Sequence, residues 1–113
     1  MKQGEIWDIK LGSKFETSKR MARPVVVIND DTIGVLPSRV IVPLTDWQDK
    51  FDDAIWLVRV DPDDENNLGK ISAADAFQLH SIPTARFVKK VGTISDHKLR
   101  NIKDAVKAII NVD

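Results

Sequence analysis

Alternation of apolar and polar positions marks the first element within a few residues of the N-terminus. Over residues 5–11, Glu5, Trp7, Ile9 and Leu11 fall on one parity and Ile6, Asp8 and Lys10 on the other, the period of a strand. Residues 12–22 carry no apolar period and read as a long basic loop. The β-branched run 24–29 reads as a well-buried strand, with Pro24 at a first position where no donor is required. A connection over 29–38, rich in Asn, Asp, Gly and Pro, leads to a strand over 39–44, which Pro43 predicts to be an edge or bulged one. After a polar loop over 45–53, Ile55, Leu57 and Arg59 alternate with Trp56, Val58 and Val60 in a strand over 54–60. Trp7 and Trp56, within strands, are expected in the core. Residues 61–69 form an acidic turn, 71–82 are weakly β, and 87–94 form another strand.

From Ser95 the period changes. Ser95 suits the N-cap of a helix over about 95–110, where Leu99, Ile102, Val106, Ile109 and Ile110 make one apolar stripe opposite Lys98, Asp104 and Lys107. Five or six short antiparallel strands and one terminal helix predict a mainly β (α+β) fold, a small, partly open barrel with the helix packed on it. The 113 residues contain no repeat, low-complexity stretch or linker, which predicts one domain spanning 1–113.

Composition narrows the chemistry. There is no cysteine, so neither a disulfide framework nor a thiolate metal site can form. His80 and His97 are the only histidines, at spacings that do not suggest a zinc site with nearby carboxylates, and no metal or cofactor is expected. No stretch approaches the length of a membrane-spanning helix, and the N-terminus lacks the apolar core of a signal peptide. A cytoplasmic protein with no membrane partner is the expectation. The formal net charge is zero, yet residues 1–40 carry seven Lys/Arg against five acids, 41–70 three against eight, and 71–113 seven against four. A nucleic-acid site on this chain must therefore be a local basic patch.

Connectivity suggests where that patch lies. The strands 24–29 and 39–44 are consecutive, and antiparallel pairing brings Arg23, before the first, beside Thr45, after the second. Lys14, Lys19 and Arg20 hang from the same rim. In RNA the 2′-hydroxyl attacks its own phosphate, so a metal-free site needs charge stabilisation and proton transfer but no nucleophile of its own. A guanidinium grips phosphate oxygens in a planar fork, and a Thr hydroxyl orients an oxygen or relays a proton. On connectivity alone, Arg23 as a surface ion-pair partner and Thr45 as a loop cap account for the same pattern. His80, with Gln78 on its face, is either a neutral-pH acid or base or a half-exposed strand residue. His97, in the first helical turn, reads as solvated surface. Trp47 and Phe51 follow Thr45 and either stack on unpaired bases or pack down onto the barrel. The acidic run Asp61, Asp63, Asp64 and Glu65 reads as a solvated turn away from any RNA.

Three pieces, Gly4-Glu5-Ile6-Trp7, Arg23-Pro24-Val25-Val26-Val27-Ile28 and Val40-Ile41-Val42-Pro43-Leu44-Thr45, together resemble the MazF/PemK (Kid) family of type II toxin–antitoxin endoribonuclease toxins. That family's pattern runs G-[DE]-I-[YW], a Gly-rich loop into R-P-V, a strand ending V-x-P-[LIV]-T, and Q-[IP]-R-[ST] before a closing helix. Gln78-Leu79-His80-Ser81 stands at the last motif, and Ser95-Asp96 opens the helix. The resemblance implies an SH3-like barrel in which Arg23 and Thr45 are the catalytic pair. It further implies sequence-specific, metal-independent cleavage of single-stranded mRNA to a 2′,3′-cyclic phosphate and a 5′-hydroxyl. A homodimer and a cognate antitoxin whose disordered C-terminal tail folds on binding are implied as partners. His80 becomes the candidate for proton transfer, and Lys14, Glu16, Lys19, Arg20, Trp47, Phe51, Gln78 and Ser81 the candidates for RNA contact.

Two departures stand out. The family loop G-x-E-Q-G-G-x-R-P is longer here and lacks the paired glycines, with Glu16 the remnant of its acid. His80 replaces the usual Arg, and Phe77 stands where some members carry a catalytic acid; Asp75, on the same strand parity, is not read as its replacement. Two alternatives share the fold: a CcdB-like toxin that poisons gyrase, and a non-catalytic SH3-like binding module. The Arg-Pro and Pro-Leu-Thr pieces favour the endoribonuclease.

Overall fold

The computed structural model describes residues 1–10 and 22–111. Its strands are β1 (Glu5–Lys10), β2 (Ala22–Val27), β3 (Ser38–Asp46), β4 (Leu57–Val60), β5 (Ser72–Asp75), β6 (His80–Pro83) and β7 (Phe87–Thr93), followed by the helix α1 (Asp96–Ile110). They form one seven-stranded sheet in the order β4-β5-β3-β2-β1-β7, with β6 also pairing β3. All the pairings are antiparallel. This is the mainly β, SH3-like, partly open arrangement with a C-terminal helix. It has one strand beyond the five or six expected, because the weakly β stretch splits into β5 and β6 around a 3-10 turn at Ala76–Gln78.

The triple valine of β2 is buried because the sheet is apolar on both faces. Val26 joins Ile6, Val42, Leu44, Val60, Ala74, Ile94 and Ile102 in one cluster. Val25 and Val27 point to the other face and pack with Ile9, Ile41 and Ile82, with Trp7 and Phe87 at the margin. α1 lies on the first face, where Ile102 and Ala105 are buried. Ser95 caps it as expected, its hydroxyl accepting from the Lys98 N–H at 3.2 Å. Ile110 departs from the predicted stripe and is exposed. It lies roughly 80° around the helix from Ile102, off the packed face, and Ala105 is buried instead.

β3 is neither the edge strand nor, along its pairing with β2, the bulged one that Pro43 predicted. The Ile28 N–H donates to the Val40 carbonyl (3.0 Å), so Val40, Val42 and Leu44 turn their backbone groups to β2 while Ile41, Pro43 and Thr45 turn theirs to the opposite side. On that side β6 pairs Ser38–Ile41 and β5 pairs Leu44–Asp46. Pro43 falls in the gap between the two ladders, where the missing donor costs no ladder hydrogen bond.

The predicted strand 54–60 loses its first three residues to a turn. The Leu57 N–H donates to the Ala54 carbonyl (3.1 Å), and Trp56 is 43% exposed, not core. The cause lies in the partner strand, since Leu57 pairs with Asp75, the last residue of β5. Trp7 is half-buried, its indole N–H donating to Glu5 Oε1 at 2.9 Å and its ring meeting Phe87 edge-on. The acidic turn is built around Asn66, which is buried. Its Oδ1 accepts from the N–H groups of Asp63 (3.0 Å) and Leu68 (2.9 Å), and its Nδ2 donates to the Asp61 carbonyl. This turn lies so close over β7 that a Cβ at Gly92 would run into the carbonyls of Glu65 and Asn66. No helix among the described residues is long and apolar enough to cross a membrane.

Candidate active site

Val25 pairs with Pro43, Val26 with Val42 and Val27 with Ile41. Running this register two residues further sets Arg23 opposite Thr45 on the face of the second cluster. On the other flank of β3, His80 pairs with Ile41 and shares that face. A groove of about 550 Å³ results, its floor made by Ile9, Val25, Pro43 and Ile82 and its walls by Arg23, Thr45, Asp75, Gln78, His80, Ser81 and Arg86. The structure therefore brings together five of the residues singled out in the sequence. Arg23, Thr45, Gln78, His80 and Ser81 are all exposed. Gln78 differs in its setting, lying on the 3-10 turn and not on a strand with His80.

The groove is elongated. Thr45 lies four steps along β3 from Ile41, the partner of His80, a span of roughly 13 Å at the rise of a strand. His80 Nδ1 lies 2.8 Å from the Gln78 carbonyl. A carbonyl only accepts, so Nδ1 carries the proton and the Nε2 lone pair is left for a ligand in the neutral ring. Arg86 has its guanidinium folded onto the end of β1, Nε and Nη2 both donating to the Lys10 carbonyl at 3.0 and 2.6 Å. Asp75 Oδ1 accepts from the Phe77 N–H at 3.1 Å. Phe77 itself is 66% exposed and does not line the groove.

Thr45 sits where this groove meets two further depressions. One, of about 560 Å³, runs from Arg23 and Thr45 past Asp46 and Gly69 to Lys70, whose ammonium lies 3.1 Å from the Asp46 carboxylate. The other, of about 510 Å³, is lined by Thr45, Phe51, Trp56 and Asp75, with Lys50 and Asp53. Trp47 is half-buried and engaged elsewhere. Its ring meets Phe51 edge-on at 5.6 Å and lies 5.7 Å beneath the Arg59 guanidinium, which is paired to Asp61 at 2.8 Å. That pairing holds the Arg59 guanidinium above its ordinary value. Lys14, Glu16, Lys19 and Arg20 lie outside the described residues.

Sequence reasoning missed Arg86 and set Asp75 aside. Arg86 reaches the groove only because β6 crosses to β3 and the turn Thr84–Arg86 brings the chain back beside β1. No local pattern signals that. Asp75 was within reach of sequence, since a carboxylate closing a short strand can cap the turn after it.

Comparison with known proteins agrees with this fold. Residues 2–110 match PemK-like, MazF-like toxins of type II toxin–antitoxin systems, and the chain belongs to that family. Among curated proteins no sequence matches. Several solved structures share the fold. The Mycobacterium tuberculosis toxin MazF-mt6 superposes with a TM-score of 0.76 at 18% identity, covering 96% of this chain and 98% of that one. An endoribonuclease in complex with its cognate antitoxin from a mycobacterial species gives 0.78 at 14% identity, covering 100% and 97%. The MazE–MazF complex from Deinococcus radiodurans gives 0.77 at 14%, covering 100% and 98%.

Proposed function

We propose that this toxin is a sequence-specific, metal-independent endoribonuclease that cuts single-stranded mRNA in the cytoplasm, with a cognate antitoxin and a second copy of itself as partners. The observation that carries the reading is the convergence of Arg23, Thr45, Gln78, His80 and Ser81 on one open groove. In this reading the substrate's 2′-oxygen attacks the adjacent phosphorus and the 5′-oxygen leaves, giving a 2′,3′-cyclic phosphate and a 5′-hydroxyl. Arg23 neutralises the phosphoryl oxygens in a bidentate grip, and Arg86 lines the same groove as a second cation. Thr45 donates its hydroxyl to a phosphoryl oxygen and orients it. His80 performs one of the two proton transfers through Nε2, as base when neutral or acid when protonated, and the other proton exchanges with water in the open groove. Gln78 and Ser81 supply hydrogen bonds along the wall. The antitoxin's disordered C-terminal tail lies across the same groove and folds as it binds.

The deciding experiment is incubation of the purified protein with long single-stranded RNA in EDTA. Fragments ending in cyclic phosphate, lost in Arg23→Ala, are the expected result; intact RNA at high protein concentration overturns the reading. A molar mass measured by light scattering at twice that of the chain is the expected result for the homodimer.

A further inference from the structure

We infer that the depression beside Thr45 is a nucleobase pocket that selects a base carrying an exocyclic amine. The inference rests on the RNA-cleaving reading above and gives it a specificity determinant. Thr45 pairs with Ala73, and Asp75 lies two residues along β5, so Thr45 and Asp75 point to the same side of the sheet. Both residues line the groove and the depression alike, which makes them the wall between the two. A phosphate held at Arg23 and Thr45 therefore leaves an adjoining nucleotide within reach of the depression.

The lining decides which part of that nucleotide enters. Phe51 is half-buried and Trp56 is exposed, presenting aromatic surface on which a base can stack. Trp56 is fixed beside the end of β5 by its own carbonyl, which accepts from the Ala76 N–H at 2.9 Å. Asp53 and Asp75 outnumber Lys50, so the depression repels a phosphate and admits a neutral ring. One oxygen of Asp75 is taken by the Phe77 N–H, and the other makes no hydrogen bond among the described residues. An oxygen that only accepts matches the exocyclic amine of cytosine, adenine or guanine, whereas uracil offers it only the N3–H, flanked on both sides by the O2 and O4 acceptors that oppose the carboxylate.

The test uses single-stranded RNAs randomised at two nucleotides on each side of the cut, digested by the wild type, Asp75→Asn and Trp56→Ala and read by sequencing. The wild type is expected to favour an amino-bearing base over uracil by about tenfold at one flanking position. Asp75→Asn is expected to reverse that preference. The Phe77 N–H holds the amide oxygen, which leaves the amide NH2 facing the pocket as a donor. Trp56→Ala is expected to raise KM about tenfold through lost stacking, with kcat retained. A preference unchanged in Asp75→Asn overturns the pocket while RNA cleavage stands. A second measurement is independent of cleavage: the indole N–H resonance of Trp56 during titration with oligocytidine and oligouridine. A shift with oligocytidine alone supports the pocket even where no RNA is cut, which would overturn only the cleavage reading. An equal response to both, or none, overturns the pocket.

Discussion

The two apolar clusters are built from alternate residues of the same strands, and they differ in what covers them. On one face α1 closes over Val26, Val42 and Leu44 through Ile102. On the other, no helix among the described residues lies over Val25, Ile41 and Ile82, and Val25 and Ile82 become the floor of a groove whose walls are polar and charged. Ile41 and Val42 are adjacent in the chain and equally buried, yet they serve opposite ends. The covered face stabilises the sheet; the other spends the same rigidity on holding a guanidinium, a hydroxyl and an imidazole in fixed relation.

Substitutions that strike one face should spare the other. Ile102→Ala, which opens a cavity under the helix, is expected to cost about 2–5 kcal/mol in denaturant unfolding. Cleavage per folded molecule should persist below the new melting temperature. Arg23→Ala on the groove face should do the reverse. Its side chain is exposed, so the melting temperature should hold while kcat falls about 10²–10³-fold. A large loss of stability in that variant would mean that the groove wall is also structural. Thr45→Val, which keeps the shape and removes the hydroxyl, is expected to lower kcat about tenfold, measured on an oligonucleotide cut once.

The smallest effect concerns Glu5, next to the sheet edge that both faces share. Burial pushes its carboxyl up, but hydrogen bonds from the Trp7 indole, the Lys2 N–H and Lys90, together with the Lys90 charge, hold it below the usual carboxylate value. Its contribution is complete above the ordinary value of 4.5 and is lost as pH falls through the lowered folded value. Glu5→Gln should therefore flatten the acid limb of the stability curve, by less than about 1 kcal/mol for a pair whose lysine is half exposed. Melting temperatures between about pH 3 and 6 check this.

These contrasts also explain which parts of the molecule could be read from its residues. The β2–β3 pairing was legible because two β-branched runs are consecutive, and antiparallel pairing then dictates what lies opposite Arg23. The α1 stripe was legible through its period, apart from Ile110, whose angle from Ile102 excludes it. Trp56 misled because alternation continues through Ile55 and Trp56 although β5 has ended at their level, and no property of residues 54–56 records the length of a partner strand. Pro43 misled for a related reason. Its lack of a donor was read as an edge or a bulge, whereas the fold sets it at a gap between two neighbours. Arg86 depended on a crossing far from it in sequence.

That gap has a consequence for how such a protein can change over generations. The turn Ala76–Gln78 is bounded by complete ladders, Leu44–Asp46 on β5 before it and Ser38–Ile41 on β6 after it, and it lies beside Pro43, which asks nothing of it. Phe77 and Gln78 are exposed, so their replacement disturbs neither ladder nor core. The segment that borders the groove is thus one that can change without disturbing the sheet. A lineage built on this sheet can drift in what it recognises while its architecture stays still.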